Sequence, residues 1–145
     1  MDPENENRTR KQQTINIEIT KTQLQRAWDE AAEIAASTRQ MAELGDAAAQ
    51  HALGMMFLNG SNTLTQDNAK AVMWFRMAAD QECASSQFNL GLCYAHGDGV
   101  PQDFEKATKW WQIAAENGNA QAEERLRMTD TTVIGGWNPF EESEE

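Results

Sequence analysis

Long hydrophobic runs are missing from this chain of 145 residues. Apolar residues make up 40% of it, yet none of the runs approaches the roughly 20 consecutive apolar residues that cross a bilayer as a helix, so a water-soluble chain is expected. Basic residues are scarce, 12 against 23 acidic ones, for a net charge of -11. Binding to DNA or RNA needs clustered Lys and Arg to neutralise phosphates, so a nucleic-acid partner is not expected. An acidic inhibitor or effector is an alternative class, but no spacing of carboxylates at phosphate-like intervals supports a DNA mimic, and the acidity is read as solubilising charge. Residues 1–13 are polar and mixed in charge, without the apolar core of a secretory signal. A cytoplasmic location is therefore expected.

Cysteine and histidine are nearly absent, with two of each. Cys83 and Cys93 fall on one expected helix, where ten residues span roughly 15 Å, far beyond the ~7 Å that a disulfide bridges. Both are read as reduced thiols of a reducing compartment. Catalysis needs a nucleophile, base or metal held in a pocket, and His51 and His96 offer little. Cys93 and His96 are three residues apart, but a structural zinc takes four protein ligands and no further pair joins them, so no metal and no cofactor are expected. Gly97 and Gly99 are followed by Pro101 rather than by a Lys and a helix start, which removes a phosphate-cradling loop. Pairs such as Asp29-Glu30 and Glu123-Glu124 read as solvated charge.

What the chain does contain is an internal repeat. Gln50, Leu53, Gly54, Phe57 and Gly60 return 37 residues later as Gln87, Leu90, Gly91, Tyr94 and Gly97. Asp67, Lys70, Ala71, Trp74, Phe75, Ala78 and Ala79 return 36 residues later as Asp103, Lys106, Ala107, Trp110, Trp111, Ala114 and Ala115. The change of offset puts one extra residue into the turn between Gly60 and Asp67. Each unit reads as two helices, because Gln50, Leu53, Gly54 and Phe57 share one face of a 3.6-residue period, as do Ala71, Trp74, Phe75 and Ala78. Gly60 and Gly97 stand where a helix stop is wanted, and Asp67 and Asp103 where a helix start wants a carboxylate. The recurring pairs Trp74-Phe75 and Trp110-Trp111 are assigned to the core.

These residues resemble Sel1-like repeats, relatives of the tetratricopeptide repeat. Residues 83–118 carry nearly all of the pattern: Gln87, Leu90-Gly91, Tyr94, Gly97-Asp98-Gly99-Val100, Asp103, Lys106-Ala107, Trp110-Trp111, Ala114-Ala115 and Gly118. Residues 46–82 depart from it at Ser61-Asn62-Thr63 and at Glu82, which replaces the closing Gly. Met41-Ala42 with Gly45-Asp46 resembles the end of a preceding unit. Residues 119–128 resemble the start of a following one, with Leu126-Arg127 in place of Leu-Gly, as suits a polar capping helix. The resemblance implies an all-α fold, a right-handed α-α solenoid of about two and a half helix-turn-helix repeats with a capping helix at each end, six helices in all, over a repeat domain of residues 22–128.

It also implies a site. In the tetratricopeptide relatives the first helix of each unit lines a concave groove. Carried onto this sequence, the groove residues are His51, Met55, Leu58 and Asn59, then Phe88, Leu92, Ala95 and His96, the alternative being that these side chains pack under the N-terminal arm or the tail. The implied function is a non-catalytic adaptor or scaffold that binds a protein or peptide there. The alternative from a different class is a weak hydrolase of cell-wall-like or amide substrates, an activity described for some members of the family, which no residue here supports.

The ends are less regular. Residues 1–13 are expected as a disordered polar arm. Ile15, Ile17 and Ile19 alternate with Asn16 and Glu18, a strand signal over residues 14–21 that would pair with Thr131 to Ile134, with a partner, or with a second copy as a homodimer; an extension of the first helix or of the disordered arm fits the same residues. The first helix is expected to start at Thr22, spaced from Gln25 as in a capping box, and to bury Leu24, Ala27, Trp28, Ala31 and Ala35. Residues 129–145 read as an acidic flexible tail, in which Trp137 and Phe140 are candidate anchors and Asn138-Pro139-Phe140 resembles a tripeptide that endocytic domains recognise.

Overall fold

The computed structural model describes residues 2–61 and 64–135, the last six of these by backbone alone. The described residues form helices and turns without a strand, in the order α1 (Pro3–Glu43), α2 (Ala47–Asn59), α3 (Asn68–Ala79), α4 (Ala84–His96), α5 (Phe104–Glu116) and α6 (Ala120–Gly135). The chain divides into two units between Ala36 and Ser37.

In the second unit four of the five helix starts follow from a side chain, α4 beginning after Cys83 without one. The carboxylates of Asp46, Asp67 and Asp103 accept from the amides of Ala49, Lys70 and Lys106 at 2.7, 3.1 and 3.0 Å, and the Asn119 amide oxygen accepts from Ala122 N at 2.9 Å. Each satisfies one of the amides that a helix start leaves without a carbonyl. The α2 and α4 stops are Gly60 and Gly97, with φ of 70° and 73°.

Helices that follow one another pack together, α2 on α3, α3 on α4, α4 on α5 and α5 on α6. The approach within each hairpin is set by a glycine under an aromatic ring. Gly54 on α2 lies beneath Phe75, so that a Cβ there would stand 2.6 Å from the Phe75 ring, and Gly91 on α4 lies in the same way beneath Trp111. Leu53, Phe75, Leu90 and Trp111 are almost wholly buried. At roughly 2–3 kcal/mol for each large apolar side chain removed from water, these recurring positions supply the main cohesion of the stack. Basic side chains close the layers from outside: Lys70 lies 5.5 Å from the Phe57 ring centre, Lys106 5.6 Å from Tyr94, and the Arg125 guanidinium 5.9 Å from Trp111, a favourable placement of cations over aromatic faces.

Successive units are tied by buried glutamines. Gln50 and Gln87 are each only 2% exposed, and each donates to a carbonyl at the end of the preceding second helix, Ala42 and Ala79, at 3.1 Å. Each also accepts through its side-chain oxygen, Gln50 from Gln81 and Gln87 from Asn117, at 2.8 and 2.9 Å. Both polar ends are satisfied, so burial carries no desolvation penalty left unpaid by hydrogen bonds.

The turn that hands one unit to the next is the same three times. Gly45, Glu82 and Gly118 donate to Ala42, Ala79 and Ala115, each at 3.0 Å, and all three have positive φ, 99°, 64° and 90°. Glu82 pays the steric cost of a Cβ in the left-handed region, roughly 1–2 kcal/mol. We therefore expect Glu82→Gly to stabilise the protein by about 1 kcal/mol, seen as a higher denaturant midpoint with unchanged slope. An unchanged or lower midpoint would show that the turn is not strained there.

The first unit differs from the sequence expectation. Residues 3–36 belong to α1, so residues 3–13 are helical instead of a disordered arm, residues 14–21 are helical instead of extended, and the helix does not begin at Thr22. Asp2 caps its start through a 3.1 Å bond to Glu4 N. Thr14, Thr20 and Thr22 return their hydroxyls to carbonyls four residues earlier, and Gln12–Asn16, Glu18–Lys21 and Gln25–Asp29 pair along the surface. These local contacts override a period-two pattern that only a neighbouring strand would reward. Leu24, Ala27, Trp28 and Ala31 are exposed, and of the expected buried set only Ala35 is buried. Thr131 to Ile134, read as a pairing strand, continue α6. No described helix is long and apolar enough to cross a membrane.

Candidate protein-binding face

The first helices of the units, α2, α4 and α6, each bury one side, α2 and α4 against the helix that follows and α6 against α5, and leave another side open. On α2 the less buried stripe is Ala48, Ala52, Met55 and Asn59; on α4 the equivalent positions are Ser85, Asn89, Leu92 and His96; on α6 they are Gln121, Arg125 and Met128. On α2 and α4 the spacing is four, three and four residues and on α6 four and three, one line along a 3.6-residue helix. The lines on α2 and α4 are joined directly, since Asn89 Nδ2 donates to Met55 Sδ at 3.3 Å.

Four of the eight expected groove residues belong to this face: Met55, Asn59, Leu92 and His96. The other four lie beside this line, two of them buried and two half-buried as Met55 and Leu92 also are. Phe88 is 8% exposed and Ala95 1% exposed, and both belong to the core. Leu58 packs partly against the same core. His51 is half-buried, with Nδ1 2.8 Å from the Ser86 hydroxyl and its ring tilted on Phe75 at a centroid distance of 5.7 Å. The carried-over pattern names His51 and Phe88 in place of Ala52 and Asn89, one residue further on, adds Leu58 and Ala95, and omits Ala48 and Ser85. Ala48, Ala52, Ser85 and Asn89 were missed because small and polar side chains give no signal of their own; the offset of 37 residues between two lines of low-bulk residues was the available clue.

The face has a distinct chemistry. None of its positions is a carboxylate, although the chain carries 23. Small Ala and Ser side chains keep it flat, Met55 and Leu92 supply half-buried apolar surface, and Asn59, Asn89 and Gln121 present amides that both donate and accept.

Potential reactive groups lie apart from it. Ser86 is fully buried, so its bond to His51 joins two units and presents no nucleophile to solvent. Burial lowers the His51 pKa from its usual value near 6.5. Its neutral form is therefore held in the fold, and this contribution to stability is complete above about pH 6.5 and lost as the pH falls and the unfolded chain takes up the proton first. The stability difference between wild type and His51→Gln is expected to shrink between about pH 7.5 and about pH 5; a constant difference in denaturant midpoint would contradict this. Cys93 is buried, with its thiol pKa raised to about 11 by burial and by the charge of Asp98, so at neutral pH it is protonated and a poor ligand or nucleophile. Neither cysteine is in a disulfide. Among the described residues no three His, Cys, Asp or Glu side chains gather as a metal site would require. Trp137, Phe140 and the Asn138-Pro139-Phe140 tripeptide lie outside the described residues.

Two-helix units stacked in sequence, each closed by a glycine-aromatic contact and linked by a buried glutamine, define an α-helical repeat protein with an open face on its first helices. The chain belongs to the Sel1-repeat family, whose model matches residues 47–83 and 84–119. The DAP3-binding cell death enhancer 1 of Rattus norvegicus is 39% identical over 98 residues, which cover 68% of this chain and 19% of that protein. The chitin synthase regulator SKT5 of Saccharomyces cerevisiae is 35% identical over 92 residues, 63% of this chain and 13% of the regulator. The chain thus matches less than a fifth of the length of each. Among solved structures, a Sel1 repeat protein from Oxalobacter formigenes superposes with a TM-score of 0.61 at 39% identity, over 63% of this chain and 26% of the other. The protective antigen c5321 of uropathogenic Escherichia coli, which displays the same fold, gives 0.63 at 38% identity over 66% and 20%.

Proposed function

We propose that this protein is a non-catalytic scaffold that holds a segment of another protein on the face formed by Ala48, Ala52, Met55 and Asn59 of α2, Ser85, Asn89, Leu92 and His96 of α4, and the start of α6. The observation that carries this reading is a carboxylate-free, weakly apolar strip on an otherwise acidic chain. In the solenoid geometry of the family the first helices line the inner curve, where an extended or helical segment contacts several units at once. Side-chain amides suit the peptide backbone of such a segment, and Met55 and Leu92 suit an apolar anchor. The names of the relatives agree in kind: one binds a protein, one regulates an enzyme, and the HRD3B protein of Arabidopsis thaliana, 32% identical over 71% of this chain, is a ubiquitin-ligase component. The free thiols support a reducing compartment such as the cytoplasm.

The test is affinity capture from lysate of the source organism with wild-type, Met55→Asp and Leu92→Asp baits. Because both side chains are only half-buried, helicity should be retained, and at least a tenfold loss of captured partner is expected, equivalent to about 1.4 kcal/mol. Equal recovery by folded variants of both kinds would overturn the assignment. Phe88→Ala is unsuitable as a probe, since Phe88 is part of the core.

A further inference from the structure

The dipeptide Asn-Gly occurs twice in the chain, as Asn59-Gly60 and as Asn117-Gly118. In this dipeptide an asparagine side chain is most open to attack by its own backbone, because glycine has no Cβ to obstruct the approach and leaves the chain freest to bend. The attacking atom is the glycine nitrogen and the target is the side-chain carbonyl carbon, so a five-membered ring closes. Both asparagines are exposed to solvent. Hydrogen bonding, not exposure, separates them.

Asn117 is tied into the joint between α5 and α6. Its side-chain amide donates to Gln87 Oε1 at 2.9 Å, which links α4 to the end of α5. Its backbone N donates to Ile113 at 3.1 Å, Gly118 N to Ala115 at 3.0 Å and Asn119 N to Ala114 at 2.9 Å, and the Asn119 side chain then caps α6. Bringing Gly118 N onto Asn117 Cγ therefore requires the Gln87 bond to be given up and the joint to open. Asn59 is the last residue of α2, and its side chain makes no hydrogen bond with the described residues. Gly60 N is held by one bond, to Met56 O at 2.9 Å, the last of the helix, where helices open most readily. The turn beyond is anchored earlier on α2, by Asp67 N on Phe57 O at 2.8 Å and the Gln66 amide on Leu58 O at 3.0 Å. The Asn59-Gly60 peptide lies between these anchors.

We propose that Asn59 is a site of spontaneous deamidation and that the fold protects Asn117 from the same reaction. Gly60 N loses its proton to solvent base and bonds to Asn59 Cγ; the Cγ–Nδ2 bond breaks, and Nδ2 leaves as ammonia. Water then opens the cyclic imide. Cleavage at the side-chain carbonyl gives aspartate, and cleavage at the main-chain carbonyl gives an isoaspartyl link that runs through the side chain. The sum is one amide and one water converted to one acid and one ammonia. Either product is ionised at neutral pH. The new carboxylate stands in line with Ala48, Ala52 and Met55, at the end of α2 where the helix dipole disfavours negative charge, and ends the carboxylate-free character of that face. This chemistry is independent of whatever the face binds.

Incubation of the full chain in mildly alkaline buffer, followed by proteolysis and mass spectrometry, reads both sites in one sample. Asn59 is expected to convert roughly tenfold or more faster than Asn117, since each further hydrogen bond to be opened slows the reaction several-fold. In denaturant the two rates should agree within a factor of about two, because the protecting bonds are gone. Asn59→Gln, whose longer side chain must close a six-membered ring, should end the mass change in its peptide, which also contains Asn62. An Asn59 that stays intact in the folded chain while the denatured chain converts would overturn the proposal. So would equal rates at the two sites in the folded chain, faster conversion at Asn117, or a mass change that persists in Asn59→Gln and so belongs to Asn62.

Discussion

Replacing Trp111 by alanine is expected to destabilise the protein by about 3–5 kcal/mol, the usual cost of truncating a large buried aromatic. The indole is 1% exposed and covers Gly91 of α4 while the Arg125 guanidinium of α6 lies over its face. It therefore joins three helices. In a stack whose units touch only their neighbours, stability is close to a sum of unit and interface contributions. The loss should then appear locally: α5 and α6 should exchange their amide hydrogens faster by two orders of magnitude or more, as about 3 kcal/mol requires, while α2 and α3 keep most of their protection. Hydrogen exchange read helix by helix measures this. A loss spread evenly over all units would mean that the stack unfolds as one cooperative body.

Gly91→Ala should destabilise as well, although alanine in a helix interior normally improves on glycine by roughly 1 kcal/mol. Here the new Cβ would lie 2.5 Å from Trp111 Cδ1 and 3.2 Å from the Ala107 carbonyl oxygen. One contact is with a ring held by its own packing and the other is with backbone, so neither can yield cheaply, and overpacking of this kind costs about 1–3 kcal/mol net. The sign should reverse when Trp111 is already alanine, because the clash is then gone and the helix preference is left. A four-member cycle of denaturant midpoints reads both numbers. Gly91→Ala stabilising the wild-type protein would refute the close approach of α4 and α5.

The repeat, its helix boundaries and most of its core were legible in the sequence because each depends on local rules applied twice, although of the pairs assigned to the core only Phe75 and Trp111 are buried and Trp74 and Trp110 are half-buried against it. Asp67 and Asp103 cap because a carboxylate at a helix start finds free amides whatever surrounds it. Gly54 and Gly91 precede close packing because they recur opposite Phe75 and Trp111 at nearly the same offset. The sense of single positions around α2 and α4 was not legible. Whether Phe88 or Leu92 meets solvent depends on how far each helix is rotated by its neighbours, and the two positions, four residues apart, lie only about 40° from each other around the helix. Periodicity fixed the apolar side of each helix but not the limits of its solvent-facing strip, because Phe88 and Ala95 are claimed by the core.

α1 divides along the same line. Alternation of Ile15, Ile17 and Ile19 is a strand pattern only if another strand is there to pair with, and the hydrogen bonds of a helix need no neighbour. Sequence alone thus determined the repeat family, the acidic balance and the residues that begin, end and fill each hairpin. Tertiary structure decided which residues of the first helices face outward and left the apolar side of α1 exposed, because facing and covering are properties of contacts between elements and carry no local signature in the chain.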